Sequence, residues 1–409
     1  MPLRVSRHRV SHIRSTVAVA LIVAAGATAP ASAQSNTPPN GWANFTRLLE
    51  AYTDSDHIVG ASAIVMRDGK VLARHNVGFA DKAAGKRVDD RSIFHWGSVT
   101  KTLTAISIMQ LRDRGKLSLD DRVTRWVPEL RLMHDPYGMM DSITIRMLMS
   151  HSAGFQNGTW PYGSGEAWEP FEPTEWAQLV AMMPYQQLHF KPGTKYSYSN
   201  PGFIYLARII EKITGDPWAT YVQKNLLSPL GLDRSYFGGT PYYLAADRSH
   251  NYYVARDSVT KRDSLIDNGA DFDPGITIPN GGWNSPLDDL ATYLAFLTNA
   301  PGGRLPRERY DVILKRSSLE EMWRPVVQTT GGYGSENDWM GLSFFGMKQG
   351  DVTILGHTGS QAGFRCFMYF DPVKRTAVLV VFNTSAQRSS PGARAAQKTM
   401  TEAALGLLK

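Results

Sequence analysis

Stretches typical of β-strands lie near both ends of this 409-residue chain, and this arrangement constrains its fold more than any other feature. Residues 61–66 and 71–79 form a first pair, joined by Arg67-Asp68-Gly69-Lys70, in which Asp-Gly favours a tight hairpin. Four further candidates follow near the other end, at residues 340–347, 352–355, 363–370 and 376–382. Strands so far apart along a chain bury a common core most economically by pairing in one antiparallel sheet.

Helical patterns flank these strands and fill the middle of the chain. Residues 42–53 and 393–408 are predicted helices at the two ends. Between about residues 100 and 297 the pattern is mostly helix and loop, with apolar side chains at helical spacing at Phe203, Leu206, Ile210 and Ile213. We therefore expect an α/β (α+β) fold, in which an antiparallel sheet flanked by helices packs beside a mostly helical lobe.

The first 33 residues have the pattern of an export signal. A basic head without acidic residues precedes an apolar run at residues 17–27, which is too short to span a bilayer comfortably. Ala31-Ser32-Ala33 then provides the small residues that signal peptidases accept, with cleavage expected before Gln34. Residues 34–409 would then be a periplasmic or secreted domain without a stable membrane anchor. An N-terminal membrane anchor is the alternative.

Charge and cysteine content exclude several classes of function. Removal of four arginines with the signal lowers the formal net charge from +7 to +3, which does not favour nucleic-acid binding. The single cysteine, Cys366, cannot form an internal disulfide or a thiolate metal cluster. We accordingly expect no nucleic-acid partner, no metal and no cofactor.

A Ser-x-x-Lys motif at Ser98 and Lys101 carries the first candidate chemistry. Three residues make nearly one helical turn, so the hydroxyl and the amine would share one face within hydrogen-bonding distance. A buried lysine that has lost its proton can then serve as the base that activates the serine. Residues 102–111 are apolar enough to form a buried helix, and Gly97 permits a tight entry into it, so Ser98 would lie at a helix N-terminus.

The same four letters occur a second time, from Ser258 to Lys261. Charged residues surround this copy between positions 256 and 263, as is typical of a solvated turn. We therefore interpret the second copy as a surface turn and the first copy as the working motif.

Two further motifs follow in an order that carries information. Tyr198 and Asn200 form a Tyr-x-Asn triplet before a helical run, and residues 357–360 read His-Thr-Gly-Ser between two strand candidates. With these motifs the chain resembles the serine β-lactamase and penicillin-binding superfamily, whose signatures are Ser-x-x-Lys, a second polar triplet and Lys-Thr-Gly. The Tyr-x-Asn triplet is similar to that of the class C β-lactamase-like branch, which also includes esterases, D-amino-acid peptidases and amidases.

Two other segments are similar to the same branch, at residues 148–155 and 280–291. The resemblance then extends from about residue 61 to residue 384, nearly all of the chain after the signal. It implies a β-lactamase/transpeptidase-like fold and a β-lactamase-related serine hydrolase domain at residues 34–409.

The resemblance implies roles for the residues at matching positions. Ser98 would be the nucleophile that forms an acyl-enzyme, Lys101 its base, and Tyr198 the phenol that transfers protons to the leaving group and from water. Tyr198 must then lie near Lys101, because a nearby positive charge lowers the pKa of a phenol. Asn200 would hold Lys101 and contact the substrate, and the backbone N–H groups of Ser98 and Ser360 would bind the oxyanion. The implied substrate-binding and oxyanion residues are Asn200, His357, Thr358, Gly359 and Ser360.

One departure from the family pattern concerns substrate choice, because His357 replaces the lysine of Lys-Thr-Gly. That lysine is a permanent cation suited to the carboxylate of β-lactams and D-alanyl peptides, whereas an imidazole is mostly neutral near pH 7. We expect the imidazole to gain charge, and so to imitate the lysine, as the pH falls through about 6.5. The replacement favours the esterase and peptidase relatives over a true β-lactamase.

Two features need a separate interpretation. His151 has no acidic partner visible in the sequence, and we interpret it as a structural hydrogen-bonding residue. The segment 158–176 is rich in aromatic and glutamate side chains. It is either one wall of an acyl pocket or a well-packed surface excursion.

The sequence as a whole predicts an exported serine hydrolase. It would cleave an ester or amide bond in a small molecule or short peptide through an acyl-enzyme, without a cofactor. The alternatives are a class C-type β-lactamase and a slowly deacylating penicillin-binding or sensor protein. The deacylation rate separates a sensor from an enzyme, and the presence of Tyr198 favours turnover.

Export gives a first testable prediction. When the full chain is expressed in a bacterium, the purified protein should begin at Gln34, since the small residues before it fit a signal peptidase. Intact-mass measurement of the periplasmic fraction or the medium checks this, and Ala33→Tyr should block cleavage at that position. An intact chain beginning at Met1 and held in the membrane would contradict the prediction.

Overall fold

The structure of this protein is a computed structural model that describes residues 37–55, 57–155, 173–256, 259–260, 262–330, 337–386 and 391–408. The strands in these ranges are β1 (Gly60–Arg67), β2 (Lys70–Asp81), β3 (Lys86–Arg87), β4 (Ile93–His95), β5 (Tyr236–Phe237), β6 (Tyr252–Arg256), β7 (Asp263–Asp267), β8 (Trp283–Pro286), β9 (Val327–Gln328), β10 (Trp339–Met340), β11 (Phe345–Gln349), β12 (Val352–Gln361), β13 (Phe364–Asp371), β14 (Thr376–Phe382) and β15 (Thr384–Ala386).

The helices lie mainly between β4 and β9. The α-helices are α1 (Trp42–Ser55), α2 (Thr100–Asp113), α3 (Ile145–Met149), α4 (Trp176–Met182), α5 (Asn200–Thr214), α6 (Trp218–Val222), α7 (Ser228–Leu230), α8 (Ile278–Gly281), α9 (Leu287–Leu297), α10 (Arg307–Ile313), α11 (Arg316–Trp323) and α12 (Pro391–Gly406). A π-helical turn at Gln223–Leu227 joins α6 to α7, and 3-10 turns occupy Val123–Arg125, Pro128–Leu132, Met140–Ser142, Met183–Tyr185, Tyr242–Asp247 and Gly275–Thr277.

The main sheet joins the two ends of the chain. Its order is β3-β2-β1-β14-β13-β12-β11-β10-β9, and the paired strands β1 and β14 come from opposite ends. The predicted β1–β2 hairpin is present, with Arg67 opposite Lys70 and positive φ angles at Asp68 and Gly69. Both turn residues therefore adopt the backbone region that the Asp-Gly pair favours. The predicted antiparallel sheet is thus confirmed.

Side chains of the central strands alternate between two cores, one on each face of the sheet. On β14, Val378 and Val380 pack with α1 and α12, whereas Leu379 and Val381 pack with the helical region. A strand buried on both faces needs an almost continuous apolar sequence, and β14 has one. The result is a sheet with two terminal helices on one face and the mostly helical lobe on the other, and the predicted fold class is confirmed.

Three details differ from the sequence-based expectation. The predicted strand 340–347 is divided into β10 and β11, because the chain turns between them with φ +70° at Ser343. Strand β12 continues to Gln361, so residues 357–360 lie inside a strand rather than after one. The middle of the chain also contains two small sheets, β4-β8-β5 and β15-β6-β7, whose strands are too short or too exposed to give a clear alternating pattern.

Some predictions concern residues outside the described ranges. These are the export signal at residues 1–33, most of the aromatic segment 158–176, and the second Ser-x-x-Lys copy at Ser258 and Lys261. Within the described ranges, no helix is both long enough and apolar enough to cross a membrane.

Candidate active site

Ser98 lies at the junction between strand β4 and helix α2. The chain enters the helix through Gly97, which has φ +49° and whose Cβ position would be 2.9 Å from the backbone nitrogen of Ser360. Glycine is therefore needed here both for the backbone angle and for the close approach of β12. One helical turn later, Lys101 Nζ lies 3.0 Å from Ser98 Oγ, so the two groups of the Ser-x-x-Lys motif are hydrogen-bonded.

Lys101 is fully buried, and its amine contacts oxygen atoms and aromatic rings. Nζ donates a hydrogen bond to the carbonyl oxygen of Asn280 at 2.8 Å, and it lies 4.9 Å from the ring centre of Tyr198 and 5.7 Å from that of Phe203. Burial holds the pKa of the Lys101 ammonium well below its ordinary value. The neutral form has a lone pair that can accept the Ser98 proton.

Tyr198 is held over Lys101 by His151. The backbone N–H of Ser199 donates to His151 Nδ1 at 3.0 Å, the N–H of Ser197 donates to the His151 carbonyl at 2.8 Å, and the His151 ring stacks on the Tyr198 ring at 4.3 Å. Burial, followed by the charge of Lys101, lowers the pKa of His151 well below its ordinary value. His151 therefore fixes the turn before α5 as a neutral ring, which confirms the predicted structural role.

Asn280 connects Asn200 to Lys101. Asn200 is the first residue of α5, and its side-chain oxygen accepts a hydrogen bond from Asn280 Nδ2 at 3.4 Å. The carbonyl of the same Asn280 accepts the hydrogen bond from Lys101. Among the described residues, Asn200 thus reaches Lys101 through Asn280, whereas the sequence predicted direct contact. Residues 280–291 are similar to the class C β-lactamase-like branch, but a sequence does not show which backbone carbonyl will bind Lys101.

Residues 357–360 of β12 lie against the segment that leads into Ser98. A Cβ atom at Gly359 would be 2.1 Å from the carbonyl oxygen of Trp96, so glycine alone allows this contact. Ser360 and Thr358 are accessible to solvent, as is Ser98. The two backbone N–H groups implied as oxyanion donors, those of Ser98 and Ser360, therefore belong to segments in direct contact.

His357 is fully buried and hydrogen-bonds to its own strand. Its Nδ1 lies 2.6 Å from the carbonyl oxygen of Thr358, which makes Nδ1 the protonated nitrogen and leaves Nε2 as an acceptor. Burial and then the charge of Lys101 lower the pKa of His357 to about 3. The expectation that this ring gains charge as the pH falls through 6.5 is wrong, because the sequence does not show that the ring is buried beside a lysine.

A group of possible metal ligands lies away from these residues. Ligand atoms of Asp81, His250 and Asp267 are all within 4.8 Å of one another. The ring of His250 already faces both carboxylates, with Nε2 3.5 Å from Asp81 and Nδ1 3.1 Å from Asp267. The group is therefore a cluster in which the His250 ring hydrogen-bonds to Asp267 and lies beside Asp81.

Comparison with known proteins gives the family. The family model described as Beta-lactamase matches residues 45–400, and the chain therefore belongs to the beta-lactamase family. Protein flp of Staphylococcus aureus (strain COL) is 22% identical over 348 residues, covering 83% of this chain and 62% of flp. Esterase EstB of Burkholderia gladioli is 35% identical over 188 residues, covering 43% of this chain and 46% of EstB. This chain thus spans about three fifths of flp.

Solved structures show the same fold. The octameric penicillin-binding protein homologue from Pyrococcus abyssi has a TM-score of 0.69 and 26% identity, covering 84% of this chain and 73% of that chain. A class C beta-lactamase also has a TM-score of 0.69, at 20% identity, covering 90% of this chain and 96% of that chain. The resemblance to the β-lactamase and penicillin-binding superfamily is thus confirmed.

The buried histidines predict a loss of stability in acid. In the unfolded chain an imidazole titrates near pH 6.5, whereas burial lowers the pKa of His357 to about 3 and that of His95 to about 4. Between these values the unfolded state binds more protons, so the free energy of unfolding should fall as the pH falls from about 6.5. In calorimetry between pH 7 and pH 4, His357→Gln should show a shallower decrease of Tm than the wild type.

The exposed His134 provides the control for this measurement. His134→Gln should follow the wild-type dependence of Tm on pH. Equal slopes for His357→Gln and the wild type would show that His357 is not kept neutral by burial.

Proposed function

We propose that this protein is an exported serine hydrolase that cleaves an ester or amide bond through an acyl-enzyme on Ser98. The observation that carries this proposal is the 3.0 Å hydrogen bond between Ser98 Oγ and the fully buried amine of Lys101. A serine hydroxyl is a weak nucleophile until a neighbouring base accepts its proton. Burial lowers the pKa of Lys101, and Ser98 is partly exposed, so the proposed base and nucleophile meet these requirements.

The acylation step follows from the positions of the groups. Lys101 Nζ accepts the proton as Ser98 Oγ attacks the carbonyl carbon of the substrate, and the carbonyl oxygen becomes negative. The N–H groups of Ser98 and Ser360 stabilise that oxygen, and each such donor contributes about 2–4 kcal/mol to lowering the barrier. The leaving group then departs with a proton delivered from Lys101 by way of Tyr198, whose ring lies over the amine.

Deacylation uses the same groups in the reverse sense. A water molecule transfers one proton to Lys101 by way of Tyr198 as its oxygen attacks the acyl carbon. The acid is released, and the proton returns to Ser98 Oγ. Because the same base serves both halves of the reaction, the proposal predicts turnover rather than a stable acyl adduct.

An ester or short amide without a carboxylate beside the scissile bond is the proposed substrate class. A neutral, buried His357 offers no charge to a substrate carboxylate, and 35% identity to Esterase EstB over 188 residues supports the same choice. One purified sample assayed with p-nitrophenyl esters, a chromogenic cephalosporin and D-aminoacyl anilides tests this preference. The esters or anilides should be hydrolysed faster than the cephalosporin.

Export of this hydrolase to the periplasm or the medium is part of the proposal. It is supported by the basic head, the short apolar run and the small residues before Gln34. A substrate outside the cytoplasm would then meet the enzyme without crossing a membrane.

The nucleophile can be tested within one chain, because the Ser-x-x-Lys letters occur twice. A fluorophosphonate probe should label Ser98 and leave Ser258 unlabelled, as mapped by peptide mass spectrometry. Ser98→Ala should lower kcat by about 10⁴- to 10⁶-fold, as removal of a catalytic nucleophile does. Ser258→Ala is the matched control and should keep wild-type kinetics. Labelling of Ser258, or full activity in Ser98→Ala, would overturn the mechanism.

Substrate preference can be tested at position 357. His357→Lys should place a cation in the site, and a charge-assisted hydrogen bond to a carboxylate is worth about 1.5–3 kcal/mol. We expect a gain of about 10- to 100-fold in kcat/KM on β-lactams or carboxylate-bearing peptides, with little gain on neutral esters.

The wild type provides the comparison for this variant. Its activity on carboxylate-bearing substrates should not rise as the pH falls from 7 to 5, since the pKa of His357 is about 3. Efficient cephalosporin hydrolysis by the wild type at pH 8, with no gain in His357→Lys, would show that another feature sets the preference.

A further inference from the structure

A chain of hydrogen-bonded side chains lies beside the site and takes no part in the chemistry proposed above. His95 Nε2 is 3.2 Å from Gln361 Oε1, and His95 Nδ1 is 2.9 Å from the side-chain amide of Asn284. Gln361 Nε2 donates in turn to Thr277 Oγ1 at 3.1 Å. His95, Thr277 and Asn284 are buried and Gln361 is half-buried, so the chain of bonds runs from the interior to its edge.

The orientation of the Gln361 amide is fixed by its neighbours. The Thr277 hydroxyl donates its proton to the carbonyl of Pro274, so Thr277 Oγ1 can only accept from Gln361. The Gln361 amino group therefore faces Thr277, and the Gln361 oxygen faces His95. His95 contacts this oxygen through Nε2, and its other ring nitrogen faces Asn284 Oδ1.

Gln361 connects three segments that surround the oxyanion site. It directly follows Ser360 at the end of β12, and its side chain lies on the same face as His357 and Gly359, since strand side chains alternate. Through His95 it reaches β4, three residues before Ser98. Thr277 directly precedes α8, the helix that carries the Asn280 carbonyl bonded to Lys101.

Close packing reinforces the third of these connections. A Cβ atom on Gly281 would be 2.2 Å from Gln361 Oε1, so the amide lies directly against the end of α8. Gln361 therefore contacts the segments that carry the Ser360 N–H, the Ser98 N–H and the Asn280 carbonyl.

We propose that Gln361, held by His95 and Thr277, is the positioning residue that sets the spacing between the Ser360 and Ser98 N–H groups of the oxyanion hole. The inference rests on the proposed function and names a determinant of its rate. Oxyanion donors act at about 2.7–3.1 Å from the charged oxygen, and a displacement of about 1 Å can cost about 100-fold in rate. A side chain bound to all three segments restricts such displacements.

The test compares variants of Gln361 and Thr277 with a matched control. Gln361→Ala removes the amide, Thr277→Val removes only the hydroxyl, and Thr277→Ser keeps it. Gln349→Ala is the control, because Gln349 ends β11 opposite Val352, at the other end of β12. Two quantities are measured: kcat/KM on a neutral p-nitrophenyl ester per site titrated with a phosphonate, and the inhibition constant of a boronic acid that forms a tetrahedral adduct on Ser98.

If the oxyanion donors are displaced, kcat/KM should fall and the inhibition constant of the boronic acid should rise by the same factor, because the boronate adduct resembles the transition state. We expect about a 10- to 100-fold loss in Gln361→Ala, about a 3- to 10-fold loss in Thr277→Val, and less than about a twofold change in Thr277→Ser. Gln349→Ala should match the wild type. The Gln361→Ala/Thr277→Val double variant should be no slower than Gln361→Ala alone, since both changes remove one connection.

The outcomes separate this inference from the proposed function. If the wild type is not labelled by the phosphonate at Ser98, the proposed function fails and the inference fails with it. If the wild type is labelled, but Gln361→Ala and Thr277→Val keep wild-type kcat/KM and boronate affinity per titrated site, the inference alone is overturned. A loss confined to the fraction of titratable sites would assign Gln361 a purely structural role, which also overturns it.

Discussion

The buried amine of Lys101 is the interaction on which the rest of the site depends. Within the described part of the chain, its nitrogen contacts two uncharged oxygens, those of Ser98 and Asn280, and lies against aromatic rings. An ammonium transferred from water to such surroundings without an anionic partner costs several kcal/mol, so the neutral amine is favoured. A neutral amine is the form that the proposed mechanism requires, and burial favours it. The elements around Lys101 therefore matter because they exclude water from the amine, keep it uncharged and hold it close to Ser98.

The main sheet provides the rigidity that this arrangement requires. Strand β12 is an inner strand of the nine-stranded sheet and brings residues 357–360 against the entry to α2. The contact leaves no room for side chains at Gly97 or Gly359, whose Cβ positions would lie 2.9 Å from Ser360 N and 2.1 Å from Trp96 O. The backbone of residues 96–97 therefore contacts the backbone of residues 359–360 directly, and glycine at positions 97 and 359 makes this possible. Such a contact is fixed by the pairing of β12 with its neighbours rather than by flexible side chains.

The sequence predicted those parts of the fold that follow a local period and missed those that depend on tertiary contact. The hairpin at Asp68-Gly69 and the apolar strand β14 can both be predicted from the local sequence alone. The three residues of β4 are too few to show any period. The carbonyl of Asn280 holds Lys101 through a backbone atom that every residue possesses, so no letter could identify it. The protonation of His357 was predicted wrongly because a free imidazole was assumed, and burial beside Lys101 is visible only in three dimensions.

The exchange of lysine for histidine at position 357 therefore affects more than the charge offered to a substrate. A protonated Lys101 lowers the pKa of His357, and by the same reciprocity a cation at position 357 would lower the pKa of Lys101 further. With a neutral ring at position 357, Lys101 is a stronger base than it would be beside a cation at that position. A lysine at position 357 would couple the binding of a substrate carboxylate to the basicity of Lys101, because a bound carboxylate would offset the second positive charge. Under the proposed mechanism, a neutral ring at position 357 lets Lys101 act as the base without any charge on the substrate.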